Sequence, residues 1–88
     1  MLKITTTAGE DGTLTIGISG RLTAAGCDSI DQMWKDARDR RQEVAIDLTR
    51  VTLLDRASVE YLARIRSRSV ALVNVPSYVS RWIESSSD

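Results

Sequence analysis

The 88-residue chain contains no histidine and a single cysteine, and its 12 basic and 12 acidic side chains cancel. Each shortage removes a class of chemistry. Without histidine there is no Ser-His-Asp or Cys-His nucleophile and no histidine-ligated metal site. The lone Cys27 cannot close an internal disulfide, which suits a reducing cytoplasm. A formal net charge of zero, with nothing basic interleaved with aromatics, offers no field to gather nucleic acid or an anionic membrane. The opening "MLKITTTAGEDG" lacks the apolar stretch of a signal peptide, and no apolar run approaches the ~20 residues of a membrane span. The glycines at 9, 12, 17, 20 and 26 match no nucleotide fingerprint. These shortages point to a small cytoplasmic protein, one domain over residues 1–88, with no cofactor, no bound metal and no membrane insertion.

What is present alternates between two periods. "LKITTTAGEDGTLTIGISG" places Leu2 and Ile4, then Leu14, Ile16 and Ile18, at every second position. That is the pattern of half-buried strands, and Asp11-Gly12 is a type I′ turn signal. A β-hairpin is predicted over 2–8 and 13–19. After Gly20 the period becomes helical, with Cys27, Ile30, Met33, Trp34 and Ala37 on one stripe. The helix is predicted over 24–41, with Thr23 or a neighbour as cap, Asp31 and Lys35 as an i, i+4 pair, and cations in "RDRRQ" at its negative end. "EVAIDLT" reads as a buried strand over 43–49. Asp55 is the natural N-cap of a second helix over 57–66. "SVALVNV" reads as a strand covered on both faces. Pro76-Ser77 opens a last short helix whose Val79, Trp82 and Ile83 share a stripe. The order β-β-α-β-α-β-α implies an α/β fold. It has a mixed sheet of about four strands, a hairpin at the edge and helices packed on the sheet.

Candidate chemistry is sparse. Asp47 and Asp55 are the carboxylates carried by the central strand, but no nucleophile or phosphate cradle accompanies them, so no catalytic residue is assigned. Asp47 is expected to accept hydrogen bonds from backbone or hydroxyl groups. Cys27 falls on the apolar stripe and reads as a small buried hydrophobe; its nearness to the helix start keeps a reactive thiol as the other reading. Both tryptophans read as core, with Trp82 the one to remain partly exposed for a partner.

"ISGRLTAAGCDSI", "VAIDLTRVTLLDRAS" and "VALVNVPSYVSRWI" together resemble the STAS domain, the fold of bacterial anti-sigma factor antagonists. Gly20, Arg21, Leu22 and Thr23 stand where the family has Gly-Glu-Leu-Asp. Asp47, Leu48, Thr49, Val51 and Asp55 match its "DLS…D" segment. The resemblance covers nearly the whole chain. It implies a non-enzymatic protein-binding module whose partner is an anti-sigma factor that is also a Ser/Thr kinase. It also implies a phosphorylatable serine directly after the aspartate and structural roles for Gly20, Asp47 and Asp55.

Arg56 occupies that serine position, Ala57 replaces a second serine, and Ser58 replaces a glycine. Three readings of the Asp55, Arg56, Ala57, Ser58 turn stay open. Arg56 is a contact residue of a module without phosphoregulation; or Ser58 is a displaced phosphoacceptor; or the turn is only structural. Two other functions remain beside them. One is the STAS subunit that packs on the ATPase of a phospholipid-transport ABC complex. The other is a small-anion or nucleotide-binding α/β domain or enzyme, since such sites form at strand C-terminal ends.

Overall fold

The computed structural model describes residues 2–68 and 70–86. Its elements run β1 (Leu2–Ala8), β2 (Leu14–Leu22), α1 (Ala24–Asp39), β3 (Val44–Leu54), α2 (Arg56–Arg66), β4 (Ala71–Val73) and α3 (Ser77–Ser86). The strands form one sheet in the order β1-β2-β3-β4. β1 and β2 are antiparallel, while β2–β3 and β3–β4 are parallel pairs. This is the mixed α/β sheet with an edge hairpin that the alternating pattern predicts.

Period two sorts the strand residues between the core and the other face. Ile16 and Ile18 of β2 and Val44, Ile46 and Leu48 of β3 are buried, and the residues between them are more open. The helices cover the buried side: α1 packs on β2, α2 meets α1, and α3 rests against α2. Ile30, Trp34, Val59, Leu62, Ile65, Val79 and Ile83 close the core from that layer. Gly26 lets α1 come close, since a Cβ there would strike Leu2 and Leu22.

Five details differ from the sequence expectation. The hairpin does not turn through a type I′ pair. The Gly12 N–H bonds Gly9 O at 3.0 Å and Gly12 alone is left-handed at φ 88°, so glycine follows the turn as a bulge residue. Thr23 stands at the N-cap of α1 in extended conformation, but its side chain makes no capping bond. Helix α1 also stops at Asp39 rather than 41. Gln42 N–H returns to Ala37 O and Arg41 N–H to Arg38 O, both at 2.9 Å, which is a Schellman closure. Arg41 takes its left-handed position, φ 57°, where glycine is preferred; a side chain there costs about 1 kcal/mol.

The fourth and fifth differences concern β3 and β4. β3 runs on to Leu54 because it bulges twice against β2, between Asp47 and Arg50 and between Val51 and Leu53. Each extra residue moves the inward set, so Leu48, Val51 and Leu54 are buried at a spacing of three and the simple alternation is lost. β4 is not a doubly covered strand. It is a three-residue edge with Ala71 exposed and Leu72 and Val73 half-buried.

Candidate functional site

The site is assembled where β2 and β3 end side by side and α2 begins. In β2, Gly20 adopts φ 89° just before the second register shift, a conformation other residues reach only with strain. This brings Leu22 alongside Leu54, so the Leu22 carbonyl can accept the Asp55 N–H at 3.3 Å. Asp55 caps α2 from extended backbone, and its Oδ1 accepts the Ser58 N–H at 2.8 Å. One of the orphan donors of the first helical turn is thereby satisfied.

Ser58 closes the arrangement. Its Oγ lies 2.6 Å from Asp55 Oδ1 and 2.9 Å from Leu22 O, and the residue is fully buried. The hydroxyl carries one proton between two acceptors. Bonds from the Ser58 hydroxyl first, and then from its N–H, hold the Asp55 carboxyl below the ordinary carboxylate range. Cys27 packs nearby. Burial pushes its thiol up, opposed by a bond with Ser58 and reinforced by the charges of Asp55 and Asp28. A protonated, buried thiol of this kind behaves as a small hydrophobe.

Around the cap Leu53, Arg56 and Ala57 are exposed, while Leu54 between them is buried. Arg56 leaves 85% of its side chain in solvent, with Nε 3.4 Å from Glu60 Oε1 one turn on. An ion pair this exposed is worth a few tenths of a kcal/mol at most, so it leaves the guanidinium available. Ala57 is exposed, and so is half of Leu53, an unusual place for a leucine in a strand. Leu53 sits opposite Arg21 in the sheet. Sequence reasoning passed over Leu53 because it reads as one more apolar residue in the strand; only the second bulge turns it out.

Asp47 is separate from this turn. Its Oδ1 accepts the Thr49 hydroxyl at 2.5 Å, the Thr49 N–H at 2.9 Å and Asn74 Nδ2 at 3.3 Å, at the point where the first bulge frees backbone groups. These bonds, the Thr49 hydroxyl foremost, hold its carboxyl low. Asp47 in β3 and Asp55 just past its end are therefore each committed to their own local turn and do not face a shared substrate. Trp34 is buried, whereas Trp82 is 38% exposed beside Tyr78, which is 52% exposed one turn earlier on α3. In the fold, though not in the sequence order, arginines do gather at the aromatics of α1 and α2. Arg38 and Arg68 lie over the Trp34 ring at 4.9 and 5.8 Å from its centroid, and Arg64 lies over Tyr61 at 5.8 Å.

No family model matches the sequence and no curated protein matches it. Solved structures do match the fold. The anti-sigma factor antagonist SpoIIAA in its unphosphorylated form superposes with a TM-score of 0.73 at 16% identity, over 93% of this chain and 82% of that one. A protein from Shewanella loihica described as having a SpoIIAA-like fold matches with a TM-score of 0.62 at 15% identity, over 88% and 69% of the two chains. The STAS domain of an antisigma-factor antagonist from Rhodobacter sphaeroides matches with a TM-score of 0.51 at 22% identity, over 82% and 83%. No helix among the described residues is long and apolar enough to cross a membrane.

Proposed function

We propose that this chain, whose fold is that of SpoIIAA and STAS domains, is a cytoplasmic protein-binding module of bacterial signalling rather than an enzyme. Its partner would be an anti-sigma factor or Ser/Thr kinase of the kind antagonists engage. The docking face centres on Asp55, Arg56, Ala57 and the exposed side of α2, with Leu53 as an apolar neighbour. One observation carries this reading: the capped turn presents Arg56 almost wholly to solvent while it keeps the Ser58 hydroxyl inside.

Those two placements also favour a module that phosphate does not switch. Arginine in the first turn of a helix holds a fixed charge opposite in sign to phosphoserine, and no Ser/Thr kinase acts on it. Ser58 offers no hydroxyl to a kinase unless the start of α2 opens, because both its proton and its surface are taken up by Asp55 and Leu22. The positive charge instead selects a carboxylate-bearing partner surface.

A pull-down from the source cell identifies the partner, and binding is then measured with Arg56→Glu. Affinity should fall about tenfold, the size of a charge reversal at an interface, with the circular dichroism spectrum unchanged. Equal binding by the variant would sink the reading. Intact mass after incubation with the partner kinase and ATP should show no added phosphate; phosphate on Ser58 would overturn the unswitched form of the proposal.

A further inference from the structure

Six arginines stand at or just past the C-terminal ends of α1 and α2: Arg38, Arg40 and Arg41, and Arg64, Arg66 and Arg68. Cations there complement the helix dipoles, which accounts for Arg38, Arg64 and Arg66 in the last turns. It does not account for Arg41 and Arg68. Both lie beyond the helices, and neither has an ion-pair partner among the described residues. Arg41 moreover occupies the left-handed closing position of α1, where glycine would sit without strain. A cation is held in a backbone conformation that works against it.

The fold draws three of these guanidiniums around one aromatic floor. Arg38 and Arg68 both lie over Trp34, and together with Arg41 they rim a cleft of about 250 Å³ floored by Trp34, Val44 and Val70. Among the described residues Glu43 is the one acid in its lining. The nearest carboxylate of Arg38 is its neighbour Asp39 at 3.9 Å, with both side chains more than half exposed, so the guanidinium remains available. A guanidinium attracted to an aromatic ring still has N–H donors to offer a carboxylate.

We infer that this cleft, at the opposite end of α2 from Arg56, is a second docking site, for an acidic protein segment that carries an apolar side chain between carboxylates. The three arginines take the flanking acids, and the side chain between them packs on the arginine stems, since Trp34, Val44 and Val70 are themselves buried. A long polyanion fits less well. The neighbouring groove that shares Trp34 sets Asp28 and Asp31 among Lys35, Arg64 and Arg68, with Lys35 paired to Asp31, so carboxylates break the positive field there. Nucleic acid and anionic lipid need a broader one.

The test uses the full chain and a fluorescent peptide of alternating Glu and Leu, with a peptide of alternating Gln and Leu as its neutral twin. The Glu peptide should bind, lose affinity as salt rises, and shift the Trp34 indole N–H resonance, assigned with the help of Trp82→Phe. The double variant Arg38→Gln/Arg68→Gln should bind it about tenfold more weakly. Arg41→Gly should weaken it severalfold while making the protein more stable, which separates binding from folding. Arg56→Glu should leave it unchanged, so this site and the turn at Arg56 stand or fall separately. Equal binding of the Gln peptide, or no loss in the double arginine variant, overturns the assignment. Tighter binding of a single-stranded oligonucleotide or of phosphatidylserine vesicles through the same arginines overturns the choice of a protein partner.

Discussion

Asp55 Oδ1 holds Ser58 twice, accepting its backbone N–H at 2.8 Å and lying 2.6 Å from its hydroxyl. The same hydroxyl reaches back to Leu22 O at the end of β2. One carboxylate oxygen and one serine thus tie the first turn of α2 to the rim of the sheet. A residue change here acts on the fold and on the presentation of Arg56 together.

Asp55→Ala should destabilise the protein by about 1–2 kcal/mol, the usual loss for an N-cap. Ser58→Ala should cost about 1 kcal/mol, because Leu22 O keeps the Asp55 N–H as a partner. The two losses should not add, since each removes the bond between them. Urea unfolding of both single variants and the double variant gives the coupling; strict additivity would show that the short contact carries no energy.

Stability should fall on the acid side in a defined window. The carboxyls of Asp31, Asp47 and Asp55 are all held below their ordinary value of 3.8, Asp31 chiefly by its bond with Lys35. Depressed folded values mean the unfolded chain takes up protons first as pH drops. Their contribution is therefore complete above about pH 5 and is lost as pH falls below 4 through the lowered values. The urea midpoint should decline over that range, and less steeply in Asp55→Asn. On the alkaline side Cys27 and Tyr61, both raised first by burial, release protons more readily when unfolded, so stability should fall above about pH 9.

Arg41→Gly should raise stability by about 1 kcal/mol, from relief of the left-handed arginine. For a domain of this size that corresponds to a melting temperature higher by about 4–8 °C. A melting curve measured without any partner is sufficient. No increase would mean that the side chain makes an offsetting contact.

The pattern of alternation and caps made most of this legible in the amino-acid chain. The hairpin, α1, the Asp55-capped α2 and the Pro76-Ser77 start of α3 each carry a local signal, and all appear within a few residues of where those signals stand. The second half of β3 carries none, because its two bulges space Leu48, Val51 and Leu54 by three and imitate a helical step. β4 misleads for another reason. Leu72 within it and Val75 just past it pack at the rim of the core, so a hydrophobic run marks an edge. Of the candidate site, the Asp55 cap was readable from spacing. The bond from Ser58 to Leu22 was not, since it joins residues 36 apart. The two arginines over Trp34 come from different elements and meet only when α1 and α2 pack.

Cys27 should resist alkylation in the native protein, with a rate that follows the opening equilibrium. Burial at 5% exposure and a raised thiol value both keep the thiolate scarce. Adding urea below the unfolding midpoint should speed the reaction in proportion to the loss of stability. Fast labelling in buffer would contradict the packing described for α1.

The edge position of β4 has a kinetic side. Three residues pair it to β3 alone, and α3 beyond it holds on through its contact with α2. Lifting β4 and α3 breaks few backbone bonds of the sheet, while separating β2 from β3 dismantles the centre. Amide protons of Ile16, Ile18 and Ile46 should then be the last to exchange with deuterium, and those of α3 the first among the helices. The chain has a permanent half and a detachable one.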